Sequence, residues 1–273
     1  MQRLPDFMNA YPLSAKAAIH TPIVFRAGFF SSNDLPWPSL KGISDFARFC
    51  GVEDGAVRTA LSRAKAEGSI LVEIDATGRN RYTLSPSTFA RGASQIHAEA
   101  RPDGFLLAVF SFKTEEQDDR AALRNLLKSY GFRKLAQNTY IQGRIETEGL
   151  ESAIQELGLE DHFYLFTCPD VEDKRLVSRI LDLFDLEERQ KELRDYLALL
   201  TSFLPEGLPG NEMARRLLYV GAVHWERIEA GEPPIPAKYL PSEYPFSEIQ
   251  RFYGKRLEEG RDALFQYYRE LNL

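Results

Sequence analysis

Residues 58–65 set cations and short hydroxyls at helical spacing. Arg58, Ser62 and Lys65 recur at i, i+4 and i+7, and Thr59 and Arg63 form a second row beside them. Guanidinium groups can fork onto guanine edges, small hydroxyls can reach bases or phosphates, and no Asp or Glu stands between positions 56 and 66 to repel a nucleic-acid backbone. Arg79, Asn80 and Arg81 follow a short way on and suit phosphate or minor-groove contact. An ordinary solvated helix face would look much the same, so the elements that carry these residues decide what they mean.

Those elements read as helix, helix, helix, ribbon. Thr21-Pro22 predicts a helix start, with Thr21 as N-cap, Pro22 at the first helical position and Ile23, Val24, Phe25, Phe29 and Phe30 as its apolar face. Asp34, Pro36 and Pro38 end that helix in a turn. Ser39 is the next N-cap, followed by Leu40, Ile43, Phe46, Ala47 and Cys50 at helical spacing before Gly51. Asp54 can cap a third helix that turns Val57, Ala60, Leu61 and Ala64 inward and stops at Gly68. Ile70, Val72 and Ile74 then alternate with polar neighbours, Thr77-Gly78-Arg79-Asn80 turns, and Arg81 to Leu84 returns as a second strand. Residues 21–86 therefore predict a winged helix-turn-helix, after an N-terminal extension over 1–20 and before a connecting helix over 87–101.

The order changes at residue 102. A strand over Gly104–Phe112, a helix over Glu115–Tyr130, a hairpin of Arg133–Gln137 with Thr139–Arg144, a helix over Gly149–Leu157 and a strand over His162–Cys168 spell βαββαβ, the ferredoxin-like plait, for residues 102–170. Residues 171–273 predict a helical domain for dimerisation and effector binding, with helices across Val177–Leu204, Asn211–Ile228 and Phe246–Leu271 and a Pro-rich connection from Pro233 to Pro245. The fold class is α+β and multidomain.

Composition narrows the function. With 273 residues, 44% hydrophobic and 27% charged, the chain falls in the globular class, and its mean hydropathy of −0.34 argues against a membrane protein. The longest apolar stretches, such as Phe105 to Phe110, are too short to cross a bilayer, and no leader pattern opens the chain, so a cytoplasmic location is expected. A net charge of −6 argues at first against nucleic acid, yet it is unevenly placed. Residues 1–101 carry 12 Lys and Arg against 9 Asp and Glu, whereas residues 102–273 carry 22 against 31. Such asymmetry permits a weakly basic N-terminal module attached to an acidic body that does another job.

Catalytic patterns are weak. The sequence has no G-x-S-x-G, glycine-rich phosphate loop or H-E-x-x-H. Cys50 and Cys168 lie far apart in apolar surroundings and are expected to be buried free thiols, and His20, His97, His162 and His224 are too scattered for a zinc site. No metal or other cofactor is therefore expected. The acidic run Glu115-Glu116-Gln117-Asp118-Asp119 suits a helix start, and Asp182, Asp185, Glu187 and Glu188 a solvated helical face. Near the C-terminus aromatics stand beside cations, among them Arg215, Arg216, Tyr219, His224, Tyr239, Tyr253 and Arg256; these fit either an anionic aromatic ligand or a helical core and dimer interface.

The stretch Gly55-Ala56-Val57-Arg58-Thr59-Ala60-Leu61-Ser62-Arg63, followed by Glu67-Gly68, resembles the recognition-helix signature of PaaX-type regulators of phenylacetic acid degradation. Tyr130-Gly131-Phe132, Leu135-Ala136 and Tyr140-Ile141 agree with it, as does Pro234-Ile235-Pro236-Ala237-Lys238-Tyr239-Leu240-Pro241 with Tyr244-Pro245. The resemblance implies a winged helix, a middle Cas2-like domain, a helical C-terminal domain, and a homodimeric repressor bound to a palindromic operator of double-stranded DNA. It further implies release by a small-molecule effector such as phenylacetyl-CoA, and casts Arg58, Thr59, Ser62 and Arg63 as readers of base and phosphate. The chain departs from the pattern at Glu53, where a capping serine is expected, at Tyr244, where a tryptophan is expected, and in a wing with one arginine fewer. Two rivals follow from other classes. A metal-dependent nuclease would need an aspartate where the first plait strand ends, near Ser111 to Lys113, and none is there. A winged helix docked on protein would show no salt-dependent DNA binding.

Overall fold

The structure is a computed structural model that describes residues 5–29, 35–75, 77–86, 88, 103–143, 149–229 and 231–270. The predicted connecting helix over 87–101, together with Phe30, Asp34, His97 and Arg144, lies outside the described residues apart from position 88. The chain packs as two units. One comprises residues 1–98, 193–231 and 245–273, and the other residues 99–192 and 232–244. The stretch 171–273, expected as one helical domain, is thus divided between both units.

In the first unit α1 (Asp6–Ala10) and α2 (Ala15–Phe29) precede α3 (Leu40–Phe49) and α4 (Asp54–Ala66), and β1 (Ile70–Ile74) pairs antiparallel with β2 (Asn80–Leu84). This is the winged helix-turn-helix. Ser39 caps α3 as its sequence predicts, its Oγ accepting from Gly42 N at 3.2 Å. Gly51 at φ 79° makes the turn into α4, and Val57, Leu61 and Ala64 are the buried residues of that helix.

Helix α2 starts earlier than the Thr21-Pro22 pair predicts. Ser14 is the cap, its Oγ accepting from Ala17 N at 3.0 Å, while Thr21 sits within the helix and donates to Ala17 O at 2.8 Å. Pro22 lies in the interior, where proline costs about 3 kcal/mol. Complete burial of Ala18, Ile19 and Ile23 offsets that cost, at about 1.5–3 kcal/mol for each large side chain. The wing also differs from its alternating pattern, since only Ile70 of β1 is buried and Val72 and Ile74 are 40% and 73% exposed. A two-stranded ribbon has a floor only where its base meets the helices, as period-2 spacing alone does not reveal.

Residues 5–20 are packed rather than a free arm: Phe7 is buried and stacks on Phe203 at 4.7 Å, and Tyr219 Oη donates to Tyr11 O at 2.8 Å. Those partners come from α8 (Leu186–Phe203) and α9 (Gly210–Val223); α10 (Phe246–Glu259) and α11 (Arg261–Glu270) complete the unit. Tyr268 Oη of α11 donates to Pro22 O at 2.6 Å. The single helix expected to Leu271 is broken at Gly260, where a Cβ would run into Leu217 Cδ1.

The second unit holds β3 (Phe105–Phe110), α5 (Gln117–Ser129), β4 (Arg133–Ala136), β5 (Thr139–Gly143), α6 (Leu150–Glu156) and β6 (Phe163–Cys168), the predicted βαββαβ. The sheet runs β4-β5-β3-β6 with all neighbours antiparallel. Leu106, Ala108 and Phe110 alternate onto the helix-covered face and form the core with Leu123, Leu127 and Tyr140. Helix α7 (Lys174–Leu183) is separated from α8 by Asp185 in the left-handed conformation at φ 51°, so the predicted Val177–Leu204 helix is two. Residues 232–244 form a strap on this unit. Tyr239 stacks on Phe105 at 5.3 Å, donates to Asp170 Oδ1 at 2.7 Å and accepts from Val171 N at 2.6 Å, and Pro234 lies hard against Gly143.

Candidate nucleic-acid interface

Helix α4 is fixed from below and open above. With Val57, Leu61 and Ala64 in the core, Arg58, Thr59, Ser62, Arg63 and Lys65 are all exposed. Among the described residues Arg58, Ser62, Arg63 and Lys65 take no side-chain hydrogen bond or ion pair, and the Thr59 hydroxyl donates to Gly55 O at 3.0 Å. Two acidic residues at the ends of the helix, Asp54 and Glu67, are occupied. Arg48 Nη2 lies 3.3 Å from Asp54 Oδ1, and Lys16 Nζ 3.7 Å from Glu67 Oε2. Glu53, in place of the expected serine, stands at the N-cap with no side-chain cap. No pattern in the sequence pointed to Lys16. It reaches the α4 face only because α2 starts early, and with Arg63 it lines a groove of about 430 Å³ floored by Ala15, Ala56 and Ala60.

The wing turn is organised by one carboxylate. Asp75 Oδ1 accepts from Thr77 N at 2.8 Å, Thr77 Oγ1 at 2.6 Å and Arg79 N at 3.0 Å, and Oδ2 accepts from Arg81 Nε at 2.7 Å. These bonds, that from Thr77 foremost, hold the Asp75 carboxyl well below the usual carboxylate range. Arg79 and Asn80 are exposed. Arg81 is not. At 8% exposure it is a strut inside the ribbon, correcting its expected place among the contact residues. Its neighbours in sequence look alike, but β-pairing turns it to the face where Asp75 waits.

The C-terminal cations are likewise engaged within the protein. Arg215 Nη2 donates to Asp45 Oδ2 of α3 at 2.8 Å and lies over the Phe49 and Tyr267 rings. Arg216 bonds Glu212 Oε1 and Phe203 O, Arg256 bonds Glu259 Oε2 at 2.6 Å, and Lys238 bonds Pro169 O at 2.7 Å. Tyr244, where the family pattern has tryptophan, donates to the Glu232 carboxylate at 3.1 Å. These groups brace helices and the strap, so they do not assemble an open wall for an anionic aromatic ligand.

Burial pushes the Cys50 thiol well above its ordinary range, away from a reactive thiolate, while Cys168, expected to be buried, is only half-buried with its thiol on Asp170 O at 3.3 Å. Among the described residues no group of three or more His, Cys, Asp or Glu side chains could hold a metal ion, and no helix is long and apolar enough to cross a membrane.

Comparison with known proteins adds a match for the middle domain and a likeness of fold. No curated protein sequence matches the chain. The chain is similar in structure to the uncharacterized protein Rv0674 from Mycobacterium tuberculosis, with a TM-score of 0.53 and 16% identity over 95% of this chain and 99% of that one, a likeness of fold alone. Residues 101–177 match the family model of the PaaX protein central Cas2-like domain. The resemblance to PaaX-type regulators therefore rests on the middle domain, whose β-strands, helices and sheet order are those of a Cas2-like plait.

Proposed function

We propose that this protein is a DNA-binding transcriptional repressor of the PaaX type, which occupies a palindromic operator as a homodimer and is released by a small acidic effector, an aryl-CoA thioester such as phenylacetyl-CoA. The observation that carries the proposal is the outward face of α4, where Arg58, Ser62, Arg63 and Lys65 stand exposed and unpaired on a winged helix with no acid between positions 56 and 66. Arg58 and Arg63 are suited to guanine edges, Thr59, Ser62 and Lys65 to base or phosphate, and Arg79 and Asn80 to the backbone beside the wing. A few cations per head give modest affinity by counterion release, so two heads on one duplex are required.

The second copy docks on β6. This edge strand, Phe163–Cys168, contains no charged residue and no proline, and exposes Tyr164 at 56% and Phe166 at 53% on the face away from α5 and α6. Uncovered apolar edges of this kind are pairing sites. The helices of 171–273, first expected to dimerise, have Leu193, Tyr196, Leu200, Leu217 and Leu264 fully buried within one chain.

The test is a fluorescence-anisotropy titration of the DNA upstream of its own gene, repeated over a salt series and then with acyl-CoA thioesters. Affinity falls linearly on a log-log salt plot, one thioester releases the DNA, and Arg58→Ala costs about 1–3 kcal/mol on the specific site. Unchanged affinity in Arg58→Ala removes α4 from the groove; binding indifferent to salt favours a protein-docking winged helix instead.

A further inference from the structure

We propose that Arg120, Arg124 and Asn138, at the end of the plait sheet where β3 runs out, form a binding site for a small phosphorylated anion. It gives the effector of the preceding section a place and a chemistry, and it rests on that reading for its biological role.

Several segments meet at this corner. Phe110 N at the end of β3 donates to Asn138 O in the β4–β5 turn at 3.1 Å, and Ser111 N donates to His162 O before β6 at 3.0 Å. The Phe112 and His162 rings stack at 4.8 Å and 16°, and Arg120 Nη2, from the first turns of α5, donates to Phe112 O at 3.0 Å. Arg124 lies one turn further along the same flank of α5.

Among the described residues Arg124, half-buried, has no hydrogen bond or ion pair, and the carbonyl of Phe112 is the sole side-chain bond of Arg120. The Nε atoms of both arginines and Oδ1 of Asn138 are buried without a hydrogen-bond partner. The Nε atoms of Arg215 and Arg256 are also unmet, but those arginines, like Arg189 and Arg216, are paired with carboxylates through the guanidinium group, whereas Arg124 has no such pair among the described residues. No such partner is placed beside Arg124, since its i−4 and i+4 neighbours are Arg120 and Lys128. The Glu116 carboxylate at the corner already accepts from Lys113 N at 2.8 Å and lies 4.0 Å from His162 Nδ1.

Two guanidinium forks one helical turn apart match the oxygens of a phosphate or pyrophosphate, and the Asn138 amide adds an acceptor for a hydroxyl. The exposed Glu115, Asp118 and Asp119 around the site repel any anion, so binding there rests on direct contacts with the two guanidinium groups. The end of β3, Ser111 to Lys113, carries no carboxylate where a plait nuclease would hold its metal.

The test titrates the full chain calorimetrically with inorganic pyrophosphate and with coenzyme A at fixed ionic strength. Both bind saturably, and Arg124→Gln weakens both by about tenfold or more. Arg124→Lys keeps the charge, loses the fork and falls between, which serves as the measurement should the glutamine variant not fold. Absence of saturable binding, or equal affinity in the variants, overturns the site. Duplex titrated onto Arg124→Gln without anion binds as it does to the wild type; weaker binding would assign the pair to nucleic acid and overturn the proposal. Because operator binding is measured without ligand, loss of the anion site and failure of the DNA reading are told apart.

Discussion

At the scale of single residues, chemical type was legible and partnership was not. Arg58 and Arg81 are both arginines in a basic module, yet one is exposed and unpaired while the other braces a turn. The difference lies with Asp75, whose role as acceptor for Thr77, Arg79 and Arg81 depends on the ribbon folding back on itself. Its carboxyl titrates below its unfolded value, so its contribution to wing stability is complete above about pH 4 and is lost as pH falls towards the folded value. Hydrogen exchange at Arg79 and Arg81 amides, followed from neutral pH down to about pH 3, should show protection falling in the wild type. Asp75→Asn should show weaker protection at neutral pH and no such fall. Protection in the wild type that ignores pH would detach the wing from this carboxylate.

Among elements, helix and strand order followed from periodicity because most apolar stripes do meet a core. The plait came out with each strand within a few residues of its expected limits, since alternation along β3 and the stripe of Leu123 and Leu127 on α5 answer each other across one interface. Ends were harder. Pro22 imitated a helix start, and the break between α10 and α11 falls at Gly260, where Leu217 of α9 leaves no space for a Cβ. The strap is the plainest case. Its motif Pro234 to Pro241 was visible in the sequence, but its task, covering the sheet through Tyr239 on Phe105 and Pro234 on Gly143, was not. Gly143→Ala sets a methyl group against the Pro234 carbonyl, and overpacking of this kind costs about 1–3 kcal/mol. Urea denaturation should report that loss, together with faster proteolysis within 232–244. A midpoint equal to the wild type would mean the strap yields without cost.

For the whole molecule, the charge division between residues 1–101 and 102–273 suits the proposed function, with a small reader and an acidic remainder that would be kept off the duplex. Dimerisation belongs to this scale. Phe166→Asp, an exchange at an exposed position, should yield a folded monomer by sedimentation and weaken operator binding well beyond any local effect, because two heads would no longer be tethered. A dimer of unchanged strength would move the interface elsewhere. The sequence by itself determined the α+β class, the winged helix, the plait and the acid-free face of α4, all of which follow from local spacing of apolar and charged residues. Only the tertiary structure decided that residues 171–273 serve two units, that Arg81 and the C-terminal cations are engaged within the chain, and that Arg124 is not. Pairing depends on which groups the folded chain brings within about 3–4 Å, and residues as distant in sequence as Asp45 and Arg215 carry no local mark of that meeting.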